Sequence, residues 1–134
     1  MIGTLSAIGM LTLMVGTASA QYTIKIDTPA YPQGLGYASV KSFGSFGVGG
    51  PVTSPPGIIA GGPDNIYVTM FDPRTPTVIV SSFIVNGLPP NGGRFAGQLS
   101  APIVKAPYNY TVLAQIRTGT TVNASDQIIV QVSP

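Results

Sequence analysis

The sequence predicts a mainly β chain: a hydrophobic α-helix over 1–22, then an antiparallel β-sandwich over 23–134. Three observations lead there. Met1 to Ile24 holds no charged residue, and Met1 to Ala20 is almost continuously apolar or small. Beyond residue 20 the apolar residues recur with a period of two, the mark of half-buried strands. Seventeen Gly and thirteen Pro favour turns between short strands and oppose long helices.

The N-terminal segment admits two readings. As a secretory signal, Ala7–Val15 is the apolar region and Ala18-Ser19-Ala20 an A-x-A site before Gln21. No Lys or Arg precedes the apolar run, however, so the usual charged start is missing. As a retained helix, Met1–Tyr22 would be about 33 Å long, roughly one membrane thickness. Ile2, Leu5, Ile8, Met10, Leu11, Leu13, Met14 and Val15 lie all round such a helix, as in one buried on every side. Gly9, Thr12, Gly16 and Ala20 fall on one stripe. Small residues on a stripe let helix backbones approach closely. That offsets the roughly 1 kcal/mol each Gly costs a helix. The retained helix is the favoured expectation, with Ile2, Leu5, Ile8, Gly9, Leu11, Thr12, Leu13, Val15 and Gly16 as its assembly surface.

The strands follow in order. Tyr22, Ile24 and Ile26 alternate with Thr23, Lys25 and Asp27. A weaker strand is expected at Tyr37–Phe43. Residues 44–62 and 86–93 read as wide Gly/Pro-rich loops, with Phe46, Val48, Ile58 and Ile59 covering one end of the sandwich or touching a neighbour. Ile66, Val68 and Met70 alternate with Tyr67 and Thr69. Thr77–Val85 reads as a strand apolar on both faces apart from Ser81 and Ser82. Phe95–Leu99 is a second weak strand.

Residues 107–133 are the most specific stretch. Tyr110, Val112, Ala114 and Ile116 form one face. A polar turn around Thr118–Ser125 follows, then Ile128, Val130 and Val132 form a second face. The two should pair antiparallel with both apolar faces inward. The stretch resembles the final hairpin of immunoglobulin-like domains, so the sandwich is expected to be immunoglobulin-like. Tyr108 or Tyr110 would then supply a tyrosine corner, its hydroxyl bound to backbone; an ordinary edge Tyr is the alternative.

Composition excludes much chemistry. The chain has no Cys, His or Trp. Its four acids are all Asp (Asp27, Asp64, Asp72, Asp126). General acid–base catalysis needs a group titrating near the working pH, usually His or a carboxylate pair. Asp64 and Asp72 flank one strand, about 20 Å apart at strand rise. The Gly-rich run at 47–50 lacks the strand-to-helix setting of a phosphate loop. No catalytic residue, cofactor or metal site is expected, and Asp64, Asn65 and Asp72 read as turn formers rather than Ca²⁺ ligands. Six scattered basic residues and a net charge of +2 make no basic patch for nucleic acid. Two triplets, Asn109-Tyr110-Thr111 and Asn123-Ala124-Ser125, fit the N-glycosylation pattern. Asn109 should face outward from its strand, and Asn123 should sit in the connecting loop.

The apolar N-terminus, with its Ile2-Gly3-Thr4-Leu5 start, joined to an all-β head resembles archaeal type IV pilins and archaellins. The resemblance implies a helical homopolymer. In that family a peptidase removes a short basic leader, the helices pack in the filament core, and the β heads form the sheath. It also implies residence in a membrane before assembly, an extracellular location, and adhesion to a host or cell-surface target. The absence of an acid near position 5 fits this family, whose bacterial relatives usually carry Glu there. The chain departs from the family in its shorter helix and in Ala18-Ser19-Ala20-Gln21. Two alternatives stand beside it. One is a secreted monomeric immunoglobulin-like binding module, cleaved after Ala20, recognising sugar or protein through Tyr31, Tyr37 and nearby loops. The other is a pilus in which the N-terminal arm completes a neighbour's sheet.

Overall fold

The computed structural model describes residues 21–31, 34–55, 62–90 and 92–134. Eight strands form two sheets: β1 (Thr23–Ile24), β2 (Ala38–Lys41), β3 (Ser45–Thr53), β4 (Asp64–Phe71), β5 (Ile79–Asn86), β6 (Arg94–Ser100), β7 (Tyr108–Thr118) and β8 (Thr121–Ser133). The smaller sheet has the order β1-β3-β6 and the larger β2-β8-β7-β4-β5. The two pack face to face on one core. Val48, Val52, Phe95 and Leu99 of the smaller sheet meet Ile66, Val68, Met70, Val112, Ala114, Ile116, Val130 and Val132 of the larger, all at most 2 % exposed.

The expected fold class is corrected on two counts. Among the described residues there is no helix, and the architecture is all-β. The expected helix falls almost wholly on residues 1–20, outside the described residues; its last two, Gln21 and Tyr22, are extended chain leading into β1. The sandwich is also not purely antiparallel as an immunoglobulin-like reading required. β2 runs parallel to β8, with Ala38 opposite Val130 and Val40 opposite Val132. Chain geometry explains the mixture. β2 and β8 are separated by most of the domain, so no tight turn obliges them to run in opposite directions.

The β7–β8 hairpin forms in the expected register. Val112 stands opposite Ile128 and Tyr110 opposite Val130, with Val112, Ala114, Ile116, Ile128, Val130 and Val132 buried. Its turn is shorter than expected. Gly119 and Thr120 alone connect the strands, with Gly119 at φ 60°, the positive φ a two-residue hairpin needs. Residues 121–125 therefore belong to β8, and a register shift near Ile116/Arg117 absorbs the local mismatch.

Ser45–Thr53, expected as loop, is a nine-residue strand. Its Gly residues made it look unstructured, yet two are required by close approach. A Cβ on Gly50 would lie 1.7 Å from the Lys25 carbonyl oxygen, and one on Gly49 2.6 Å from that of Phe95. Val48 and Val52 are core residues, not loop cover. Gly97 makes room in the same way for the Phe83 ring, which joins β5 to β6. Thr77–Val85 is corrected too. The strand is Ile79–Asn86, at the edge of the larger sheet, and Val78, Ile79, Val80 and Ile84 are exposed although the run is apolar on both faces.

Candidate functional site

The registers give the domain two distinct ends. At one, Asp64 is opposite Thr118, and Thr53 Oγ1 donates to the Gln21 carbonyl at 3.3 Å. The chain arriving from residues 1–20 enters there. At the other end, Ser42 N donates to the Ser133 carbonyl at 2.7 Å and Ala101 N to the Gly44 carbonyl at 2.8 Å. Phe71 pairs with Ile79 and Thr111 near this end.

The entry end is fastened by a buried carboxylate. Asp64 is 2 % exposed. Tyr22 Oη donates to its Oδ2 at 3.0 Å, and Thr118 Oγ1 donates to its Oδ1. Asn123 Nδ2 donates in turn to Thr118 Oγ1 at 2.6 Å. A buried carboxyl must be hydrogen-bonded to be tolerable, and here the donors come from β1's approach and from β7, with β8 bonded in turn to the β7 donor. Burial, then hydrogen bonding to Asp64, pushes the Tyr22 hydroxyl pKa up. Beyond β1, the Asp27–Arg94 pair continues the attachment. Arg94 Nη1 and Nη2 reach the two Asp27 oxygens at 2.9 and 2.6 Å. The Arg94 guanidinium holds the Asp27 carboxyl below the usual aspartate range. Ile26 N donates to Asp126 Oδ2 at 2.8 Å. The residues that lead out of the apolar segment are thus tied to both sheets.

The far end carries an aromatic cluster. Tyr108 Oη donates to Asp72 Oδ2 at 2.7 Å and accepts from Arg74 Nη2, whose guanidinium carbon lies 4.6 Å from the Tyr108 ring centre. Tyr110 meets Tyr108 edge-on at 5.1 Å, and burial followed by the Asp72 charge raises its pKa. The expected tyrosine corner is therefore replaced at Tyr108 by a side-chain carboxylate contact. Asp72, Val104, Lys105, Ala106, Pro107, Tyr108 and Tyr110 line an open groove of about 320 Å³. Within it the Asp72 carboxylate is already engaged by Tyr108 and by the Arg74 backbone.

The remaining expected residues fall as follows. Ile2, Leu5, Ile8, Gly9, Leu11, Thr12, Leu13, Val15 and Gly16 lie outside the described residues, as do Ile58 and Ile59. Asn109 is exposed on the outer face of β7, where its Oδ1 accepts from Gln131 Nε2 at 3.1 Å. Asn123 is not in a loop; it is half-buried on β8, with its amide nitrogen engaged by Thr118. Tyr31 is bound through its hydroxyl to Ile129 N at 2.8 Å and borders a second open groove with Lys25, Asp27 and Asp126; Tyr37 is half-buried beside β2. Among the described residues no hydrogen bond or ring contact joins Tyr31 to Tyr37, and the Asp64 network was missed because its members are 42 and 54 residues apart in sequence.

Among the described residues, no three acids stand close enough to hold a metal ion. No protein-family model matches the chain, and no characterised protein matches it in sequence.

Proposed function

We propose that the chain is a structural subunit of an extracellular surface filament, polymerising through its N-terminal apolar segment while the β domain forms the outer layer. The observation that carries this reading is the joint between the two parts. An uncharged stretch, Met1–Ala20, runs into a domain whose first residues are bonded to the larger sheet through Asp64 and Asp126 and to the smaller through the Asp27–Arg94 pair. Force on such a segment is delivered to the centre of the fold and not to a loose tail.

The energetics support polymer over monomer. Burying eight large apolar side chains at about 1.5–3 kcal/mol each gives about 12–24 kcal/mol per subunit as an upper bound. The same surface left in water is an aggregation hazard. Membrane residence before assembly lowers the gain, because lipid is already apolar. Adhesion to a cell surface would then be a property of the exposed β layer.

The test is intact mass and electron microscopy of the protein from producing cells, beside a variant lacking residues 1–20. Filaments of a chain retaining residues 1–20, and none from the deletion variant, support the reading. A mature chain starting at Gln21 and sedimenting as a monomer refutes it. That outcome would favour the secreted binding module, for which Ala18-Ser19-Ala20-Gln21 is the specific sequence observation.

A further inference from the structure

Two polar side chains in the far-end groove have no partner in the domain. Among the described residues, neither the Tyr110 hydroxyl nor the Lys105 ammonium makes a hydrogen bond or ion pair, although Tyr110 is half-buried. Asp72 keeps acceptor capacity beside them. Its Oδ2 accepts from Tyr108 at 2.7 Å and its Oδ1 from Arg74 N at 3.0 Å, and a carboxylate has about four lone-pair sites. Tyr108 and Tyr110 alternate with Asn109 on β7, so both rings lie on the inward side of the strand. The connection from β6 to β7 passes from the smaller sheet to the larger at this end, and Val104 and Lys105 on it line the groove. The volume of about 320 Å³ lies at the low end of the range for small-molecule sites.

We propose that this groove binds one ring of a neutral saccharide, its C–H face against a tyrosine ring and its hydroxyls shared among Asp72, Tyr110 and Lys105. The site belongs to the β domain alone and goes beyond the filament reading; within a filament it gives adhesion a chemical target. Donor and acceptor types select this ligand. Asp72 only accepts and Lys105 only donates. A sugar hydroxyl does both, so neighbouring hydroxyls on one ring satisfy the two together. An anionic ligand suits Lys105 but is repelled by Asp72, and a cation the reverse. A Pro-rich segment also fits aromatic grooves, but its prolines have no N–H to give Asp72. The apolar side of a sugar ring matches the face of Tyr, whose body is apolar and whose tip is polar.

The groove is held ready for a ligand. Tyr108 is pinned through its hydroxyl to Asp72, with the Arg74 guanidinium carbon 4.6 Å from its ring centre and Tyr110 edge-on at 5.1 Å. A ring fixed beforehand loses little freedom on binding. The position is also favourable. Tyr108 lies about 34 Å along β7 from Thr118, and Thr118 marks the end where the apolar segment joins the domain. A filament built on that segment need not bury the groove.

The test uses the full chain and a panel of immobilised glycans. The panel holds neutral oligosaccharides of glucose, galactose, mannose and N-acetylglucosamine, with hyaluronan and heparin as acidic chains and polyproline beside them. At least one neutral oligosaccharide is expected to retain the protein. Tyr110→Phe removes one hydroxyl and Lys105→Ala one ammonium, and neither removes a core side chain. Each should weaken that binding by about 2–10-fold, with circular dichroism unchanged. Tyr31→Phe, in the other groove, should leave it as it was. Retention on no neutral oligosaccharide overturns the proposal, as does retention on the acidic chains or polyproline alone. Neutral binding that Tyr110→Phe and Lys105→Ala both leave unchanged overturns it too. A chain that binds but never polymerises keeps the site and refutes the filament; filaments that bind no neutral sugar do the reverse.

Discussion

Gly50→Ala puts the close approach of β1 and β3 to a quantitative test. The new methyl would lie 1.7 Å from the Lys25 carbonyl oxygen, 2.7 Å from its carbon and 3.2 Å from Asp27 N. All three are backbone atoms, so no side chain can swing away, and the chain at 25–27 must move off β3. Four backbone hydrogen bonds hold it there: Lys25 N to Pro51 O, Asp27 N and Thr28 N to Gly49 O, and Gly49 N to Thr28 O. At about 0.5–1.5 kcal/mol each, their full loss is about 2–6 kcal/mol. Partial loosening of buried Ile24 and Ile26 adds to it. Overpacking that the structure absorbs costs about 1–3 kcal/mol. The expected destabilisation is about 3–5 kcal/mol, or a melting temperature lower by about 10–20 °C for a domain of this size. Gly47→Ala on the same strand is the control, since its nearest contact would be a carbonyl oxygen at 4.0 Å. Urea unfolding of the monomeric chain, followed by tyrosine fluorescence, measures both. A Gly50→Ala midpoint within about 1 kcal/mol of the Gly47→Ala value would refute the claim that these glycines exist for close packing.

Other outcomes follow from the geometry. Asp64→Ala leaves the Tyr22 and Thr118 hydroxyls without their buried acceptor, and should lower stability by about 2–4 kcal/mol, with amide exchange rising first over 22–27. Asp27 has a folded pKa depressed below its ordinary 3.8, chiefly by Arg94. Its contribution is therefore present above 3.8 and lost as pH falls through the lower folded value, and Arg94→Met should flatten that acid limb of the stability curve. Phe43 sits at φ 57° and is 81 % exposed; Phe43→Gly should raise stability by about 1 kcal/mol by relieving the left-handed backbone. In a glycosylating host, peptide mapping should find sugar at Asn109 in preference to Asn123, whose amide nitrogen is held by Thr118.

Local pattern was legible and long-range pairing was not. The faces of β7 and β8 could be read because strict alternation, a Gly-centred turn and adjacency in sequence all point to one register. Ile24 and Ile26 were legible for the first of those reasons alone. β3 was hidden because Gly47, Gly49 and Gly50 carry no side chain to show a period, and the purpose of Gly49 and Gly50 lies in atoms of Phe95 and Lys25 far away in sequence. β5 misled in the opposite sense. A run such as TVIVSSFIV reads as a strand apolar on both faces, yet its position at a sheet edge is decided by the order of all five strands. The parallel β2–β8 pair and the Asp64 network share this origin: each joins residues from distant parts of the chain, and neither partner alone announces the other. The assembly residues of the N-terminal segment were read from polarity and spacing alone.

β7, the central strand of the larger sheet, and its neighbour β8 are made after every other strand of the domain, and β4 and β2 pair with them. Of the four pairings in that sheet only β4–β5 and β7–β8 are hairpins between consecutive strands, so the other two wait on contacts across long stretches of chain. A nascent chain that has not yet reached residue 108 lacks the centre around which its earlier strands assemble. Its core faces stay uncovered until residues 108–134 are present. Ribosome-stalled chains ending before Tyr108 should therefore be digested throughout by protease, and protection should arrive in one step when β8 is complete. Such a chain remains threadable through a translocation channel until residues 108–134 have been made, and the domain acquires its shape only then.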